Sequence, residues 1–352
     1  MDNELDLCAA AAGLAGPPVE CLRPDGAPEA QADDALGSMQ REVASWFEPA
    51  ALDDLLGAAT SQTERIARGQ LACGHRWRPM LTAVAARCGL QRPAAASLRR
   101  AGVAVECLHK ASLVHDDIAD GDDIRYGRPA LHRQHGAAIA LNVGDLLIGD
   151  GYRLLSEAPW PDATRLEAIQ VAAGAHRRLC LGQGSELWAL RAGRPTATRQ
   201  VLDAFAGKTA PAFDLALQLG AVLCRADAAT RHSMSRLSEA MGVAYQIRDD
   251  LEDLRPQADG DPRRLRASLP LALAMERADG ESRRVLESLW HEGRPAPPCR
   301  QVREIVAASG AIGEAEKMLA TYVEQAHRCL ARPELAAIAP LLGGVMMQLA
   351  QG

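Results

Sequence analysis

From Met39 onward, apolar residues recur at spacings of three and four, as in VASWFEPAALDDLL, RPMLTAVAARCGL and AGVAVECLHKASLVHDDIAD, and that period commits the chain to helices. Alternation of the kind a strand needs is never sustained. Segments with Pro and Gly interrupt the pattern: GLQRP near 89, SEAPWPDAT near 156, RAGRPTAT near 191, RPQADGDPRR near 255 and HEGRPAPP near 291. The stretches between them run roughly 15 to 30 residues, long for helices of ordinary domains. No repeat of fixed period is present, which disfavours a solenoid. The expectation is an all-α fold, a single large helical bundle over residues 38–352, with a central cavity whose sites come from facing helices. Residues 1–37 are rich in Ala, Gly, Pro and Asp without apolar period and are expected to form a disordered tail.

The chain has 352 residues and is 48% hydrophobic, enough to bury a large core. Its net charge is -6 and its basic residues are spread along the chain, which excludes a nucleic-acid polyanion as an expected partner. Nine cysteines, an odd number with no Cys-x-x-Cys pair, read as buried thiols rather than disulfides or structural zinc. Asp2, Glu4 and Asp6 stand where a secretory signal needs Lys or Arg, and no run of about 18 residues lacks charges and breakers. A cytoplasmic protein without a transmembrane segment is expected.

Local charge must therefore carry the function. Asp116, Asp117 and Asp120 form DDxxD at the end of an apolar helix, and Asp249, Asp250 and Asp253 repeat that spacing at the end of another, LSEAMGVAYQIRDDLEDL. On a helix such carboxylates converge within about one turn and resist ionisation unless a cation lies between them. Mg²⁺ suits the case, because it is usually bound by one or two carboxylates together with substrate phosphates. Two such clusters on facing helices would leave a gap for metal ions and a diphosphate. Arg125 and Arg128 follow the first cluster, Lys208 lies in FAGKTAPAF and Arg266 follows the second, as donors for phosphate oxygens.

The motifs CGHRWRP at 73 to 79, LHKASLVHDDIAD at 108 to 120, IRYGRPALH at 124 to 132, GQGSE at 182 to 186, KT at 208 and 209, YQIRDDLED at 245 to 253 and RASLP at 266 to 270 resemble those of the trans-isoprenyl diphosphate synthases, the polyprenyl synthetase family with the isoprenoid synthase type I fold. The resemblance spans roughly residues 70 to 275. It implies that Asp116, Asp117, Asp120 and Asp249 hold Mg²⁺, three ions in all, with Asp250 and Asp253 supporting the second cluster. It implies that Arg125, Lys208 and Arg266 bind an allylic diphosphate, and that Lys208, Thr209 and Gln246 lie near the allylic carbocation, with Gln183 lining the same cavity. Glu186 stands where the family usually has Asp. Arg78 and His109 match residues that bind isopentenyl diphosphate, whose double bond attacks the cation before the departing diphosphate takes a proton. A homodimer is implied as well.

The departures lie at the isopentenyl end. Tyr126 stands where the family carries a second Arg, His75 where it carries Lys, and the C-terminal LLGGVMMQLAQG offers no basic residue to close over a diphosphate. Three readings therefore stay open: prenyl transfer to a C20-type or longer diphosphate, a class I terpene cyclase that needs no isopentenyl diphosphate, and a noncatalytic partner subunit of a synthase. For cyclisation, Trp188, Phe213 and Tyr245 are the candidate aromatic walls. Ala111 and Ser112, five and four residues before Asp116, take positions that help set product length in the family. Their small size predicts room for about 20 carbons or more.

Overall fold

The computed structural model describes residues 29–254, 261–291 and 295–351. In chain order it runs α1 Glu29–Ser45, α2 Pro49–Leu56, α3 Gln62–Leu71, α4 Trp77–Ala85, α5 Ala95–Asp120, a short hairpin of β1 Ile124–Arg125 and β2 Arg128–Pro129, α6 Leu131–His135, α7 Ala137–Ser156, α8 Asp162–Arg191, α9 Thr198–Lys208, α10 Ala210–Leu223 and α11 Ala228–Asp253. A 3₁₀ turn Pro262–Ala267 leads to α12 Leu269–Arg277, α13 Gly280–Glu287, α14 Cys299–Ala308, α15 Ala311–Leu330 and α16 Ala339–Gln351. The fold is all-α, as the period requires. The hairpin is the one sheet among the described residues, pairing Ile124 with Pro129 and Arg125 with Arg128.

The expected breaks fall where Pro and Gly place them, between α4 and α5, α7 and α8, α8 and α9, and after α11. Two breaks lack an obvious warning: α10 gives way to α11 across residues 224–227, which hold neither Pro nor Gly, and α9 stops at Lys208 before α10 starts at Ala210, with Thr209 as the joint and Pro211 in the first turn of α10. The N-terminal boundary also differs from expectation. Helix α1 reaches back to Glu29, so residues 29–37 are helical rather than part of a tail, and Leu36 and Met39 are buried. Gly37 and the Ala/Asp-rich run mask a period of Leu36, Met39, Val43 and Trp46 that starts earlier than it first reads. The expected disorder of residues 1–28 lies outside the described residues.

Helix α5 is the axis. It packs along α7 and against α4 and α10, and α10 in turn packs on α4, α8 and α11, with α11 backed by α15. From Ala101 to Leu108 every residue of α5 is buried, which is why an apolar run with little polar relief is stable there. One core cluster joins α1 to α8 with α10 and α11, through residues such as Leu147, Leu154, Leu217 and Leu237; a second gathers Ile247, Leu269, Leu289 and Val306 around α12 to α15. Each such side chain contributes about 1.5–3 kcal/mol when fully removed from water. Both Asp-bearing helices end beside the same space, α5 at Gly121 in the left-handed conformation that commonly stops a helix, and α11 at Leu254. The described cysteines are free thiols; Cys107 and Cys224 are buried as expected, whereas Cys73, Cys88, Cys299 and Cys329 are only half-buried and Cys180 is exposed. No described helix is long and apolar enough to cross a membrane.

Candidate active site

Between α4, α5, α8, α9, α10 and α11 lies a cavity of about 1300 Å³. Asp116 and Asp120 enter it from α5; Asp249, Asp250 and Asp253 enter from α11. The two clusters read from the sequence therefore share one cavity. Loss of water contact raises Asp116 to about 6, with Asp120 and Glu186 adding to the rise and Lys208 opposing it. The same loss raises Asp249, Asp250 and Asp253, and Asp250 stands well above an ordinary carboxyl. Enclosed carboxylates that resist ionisation are what a bound cation would relieve.

Not every carboxylate of the two motifs faces the gap. Asp117 is 3% exposed and accepts from Arg125 Nε at 2.8 Å, so it meets that arginine and is not among the residues lining the cavity. Asp250 does line the cavity, but it also accepts the Leu269 N–H at 2.7 Å and so ties the end of α11 to the start of α12. Among the described residues no three His, Cys, Asp or Glu side chains form a ready-made cage. The donors are nonetheless all hard oxygens ranged across a gap, and they fit Mg²⁺ ions that complete their shells with phosphate oxygens.

Cations stand close by. Lys208 lies 3.8 Å from Asp120 and 3.4 Å from Glu186; burial works against its charge, but Glu186, Asp120 and Asp116 together raise its pKa above that of an ordinary lysine. This contact depends on a close approach of α8 and α9 at Gly182 and Gly207, where a Cβ on Gly182 would sit 2.3 Å from the Gly207 carbonyl carbon. Arg125 also reaches Asp122 at 3.4 Å, and Asp122 is met by Arg264 at the same distance, which links the hairpin side of the mouth to the 3₁₀ turn. Arg266 lines the cavity from that turn and donates to the Arg263 carbonyl. Gln246 and Thr209 line it too, Thr209 at 8% exposure. Both polar atoms of the Gln183 side chain are buried in the cavity wall without a hydrogen-bond partner.

At the opposite side, α4 and α5 present Arg78 and His109. Arg78 donates to His109 Nε2 at 2.9 Å and lies 4.9 Å over the Phe213 ring. A guanidinium cannot accept, so this His109 nitrogen is the acceptor. Burial, then Arg78, Lys110, Arg125 and Arg76, holds His109 well below its usual pKa and hence neutral. No described carboxylate pairs with Arg78, whose Nε is buried and unpartnered, and burial pulls its pKa down. His75 stacks on Trp77 with centroids 5.8 Å apart, and His75 and Tyr126 both line this side.

The apolar walls include Phe213 and Tyr245, edge to face at 6.2 Å, while Ala111 and Ser112 stand on α5 among the lining residues. Trp188 does not join them: it is 72% exposed on α8, with Arg191 over its ring. Sequence reasoning missed Asp122, Arg264 and, above all, Lys110, a buried lysine 3.6 Å from Glu106 and 3.2 Å from the Tyr126 hydroxyl. The signal was present, a lone charge inside the apolar run VECLHKASLV.

Comparison with known proteins gives one consistent picture. The polyprenyl synthetase family profile matches residues 61–307. A nonaprenyl diphosphate synthase of Mycobacterium tuberculosis is 30% identical over 276 residues, covering 74% of this chain and 77% of that protein. A geranylgeranyl diphosphate synthase of Cereibacter sphaeroides is 36% identical over 188 residues, 51% of this chain and 60% of the relative. Among solved structures, geranylgeranyl pyrophosphate synthase from Corynebacterium glutamicum, complexed with isoprenyl diphosphate and magnesium, has the same fold with a TM-score of 0.76 at 19% identity, covering 90% of this chain and 99% of that one.

Proposed function

The chain belongs to the polyprenyl synthetase family of prenyltransferase enzymes, and on that premise we propose that it condenses an allylic diphosphate with isopentenyl diphosphate, giving a C20-type or longer prenyl diphosphate. The observation that carries this reading is a single cavity with carboxylates of both Asp clusters on one side and Arg78, half-buried without a carboxylate partner among the described residues, on the other. A cavity with two distinct sites for anions suits two diphosphate substrates. A cyclase handling one diphosphate leaves Arg78 without a counter-charge, and a noncatalytic subunit has no use for either site.

Asp116, Asp120 and Asp249 would hold Mg²⁺, with Asp253 beside them. Bound Mg²⁺ neutralises the diphosphate and makes it a better leaving group. The chain's own groups do the rest. Asp117 fixes Arg125, and Arg125, Lys208 and Arg266 donate to the allylic diphosphate, stabilising the charge that grows on it as the C–O bond breaks. Helix α9 ends at Lys208 in the cavity wall, and the negative end of its dipole, with the Thr209 hydroxyl and the Gln183 and Gln246 amide oxygens, suits the allylic cation left behind. Phe213 and Tyr245 keep water from that cation. Arg78, His109, His75 and Tyr126 hold isopentenyl diphosphate with its double bond toward the cation, and the released diphosphate takes the proton lost in forming the new double bond.

Product length follows from Ala111 and Ser112, whose small side chains leave the cavity open below the first Asp cluster. A homodimer is part of the proposal. Leu181 and Trp188, seven residues apart on one side of α8, are 55% and 72% exposed, and Leu166 on the same helix and Ile139 and Leu141 on α7 are exposed too. A second copy of the chain would cover them.

Purified protein given Mg²⁺ and a C10, C15 or C20 allylic diphosphate, with and without isopentenyl diphosphate, tests the reading. Longer prenyl diphosphates that form only when isopentenyl diphosphate is present are expected. Hydrocarbons or alcohols formed in its absence, with no elongation in its presence, would replace transfer by cyclisation.

A further inference from the structure

We propose that Lys110 is a positioning residue for the second substrate: it holds the Tyr126 hydroxyl as a donor to the diphosphate of isopentenyl diphosphate and supplies, from behind, the positive charge that the hairpin lacks at position 126. This inference rests on the reading of the cavity as a two-substrate site.

The geometry makes the assignment. Lys110 is 2% exposed on α5 and absent from the cavity surface, while Tyr126 is 48% exposed and lines it. The ammonium lies 3.2 Å from the Tyr126 oxygen and 4.4 Å from its ring centroid. An ammonium has no lone pair, so Lys110 must donate to the phenol oxygen, and the phenol's own proton is left to point elsewhere. Into the cavity is where an anion would receive it. The phenol thus passes the buried charge to the surface as a hydrogen bond.

The charge count points the same way. Lys110 shares Glu106 Oε1 with Arg76, at 3.6 and 3.2 Å, and Glu106 is itself 2% exposed. Arg78, on the same side of the cavity, has no carboxylate partner among the described residues. Three cations around one carboxylate leave a net positive site in a low-dielectric wall, which is stable only beside an anion or water.

The backbone is shaped around this pair. Tyr126 and Gly127 have φ of 52° and 72°, a two-residue hairpin turn that normally takes Asn and Gly, and Arg76 has φ of 62°. Gly74, at φ of 92°, closes over the contact: a Cβ there would lie 2.7 Å from Lys110 Nζ and 3.2 Å from the Tyr126 hydroxyl. Two segments with left-handed residues, Gly74–Arg76 and Tyr126–Gly127, thus meet at Lys110 of α5, and at Arg76 no hairpin requires that conformation. Such backbone is kept where a site needs a fixed arrangement.

Calorimetric titration of isopentenyl diphosphate into the full chain, in chelator so that the carboxylate side gathers no diphosphate, tests the proposal. Lys110→Met and Tyr126→Phe should each weaken binding about tenfold, as expected for one charge-assisted hydrogen bond. The double variant should be no weaker than about tenfold, because both changes remove one contact. In turnover the same variants should raise KM for isopentenyl diphosphate and leave kcat and KM for the allylic diphosphate within about twofold, a split that a general structural defect does not give. Moving the charge, in Lys110→Thr with Tyr126→Arg, should restore affinity to within about threefold of wild type. Unchanged binding in Lys110→Met, or effects that multiply to about a hundredfold in the double variant, would overturn the proposal. If Lys110→Met does not fold, Tyr126→Phe and the exchanged pair decide: no loss in the first, or no recovery in the second, overturns it. Elongation by wild type with binding indifferent to Lys110 sinks this inference alone; the predicted binding pattern without elongation sinks prenyl transfer alone.

Discussion

Asp116 shows how one residue's surroundings carry the chemistry. Enclosure raises its carboxyl from 3.8 to about 6, so between those pH values the metal-free folded protein keeps a proton there that the unfolded chain has lost. A group with a raised folded pKa favours folding below the unfolded value and loses that contribution as pH rises through the folded one. Asp116 therefore destabilises the metal-free protein above about pH 6, where a bound cation would offset the repulsion. Two outcomes follow for thermal melts with and without Mg²⁺ and a diphosphate. The rise in Tm on adding them should be larger at pH 7.5 than at pH 5, and apparent Mg²⁺ affinity should fall by up to about tenfold per pH unit below pH 6, one proton competing with one ion. An equal rise at both pH values would remove Asp116 from the metal site. Burial raises Asp117, one residue on, as well, but there the Arg125 hydrogen bond and charge oppose the rise.

Elements set what reaches those residues. On α5, Ala111 and Ser112 stand one turn before Asp116, and Ala111 is 1% exposed, so a larger side chain there has no direction to grow except into the cavity or its wall. Ala111→Phe should shorten the products, seen by chromatography of the released prenyl chains, with kcat for the first condensation changed less than about tenfold; products of unchanged length would move the floor elsewhere. At this scale much was legible beforehand. Both Asp clusters and their helices follow from period, and the breaks before α5 and after α11 from Pro and Gly, because those signals are local; the start of α11 after Asp227 has no such mark. The joint at Thr209 was harder to see, since a single Pro211 in an apolar run marks it, and α1 starts earlier than composition suggests. Trp188 faces outward because which side of α8 meets the cavity is decided by the close approach at Gly182 and Gly207, a tertiary fact. Lys110 was passed over for a related reason: sequence shows a charge in an apolar helix but not that Glu106 and Tyr126 wait for it.

At the scale of the whole molecule, the apolar residues left exposed on α7 and α8 ask for a cover. Sedimentation of the wild-type chain should report a dimer, and Leu181→Asp with Trp188→Asp should shift it to monomer. A wild-type monomer at micromolar concentration would refute the assigned face. Within each copy, the central claim is that the ends of α5 and α11 grip the same divalent ions. A crystal grown with Mn²⁺ and a non-hydrolysable allylic diphosphate, read by anomalous scattering, tests it most directly. The account predicts Mn²⁺ held by Asp116 and Asp120 on one side and by Asp249 on the other, with the diphosphate between them; Mn²⁺ bound elsewhere, or a diphosphate seated with Asp249 touching no ion, would contradict it.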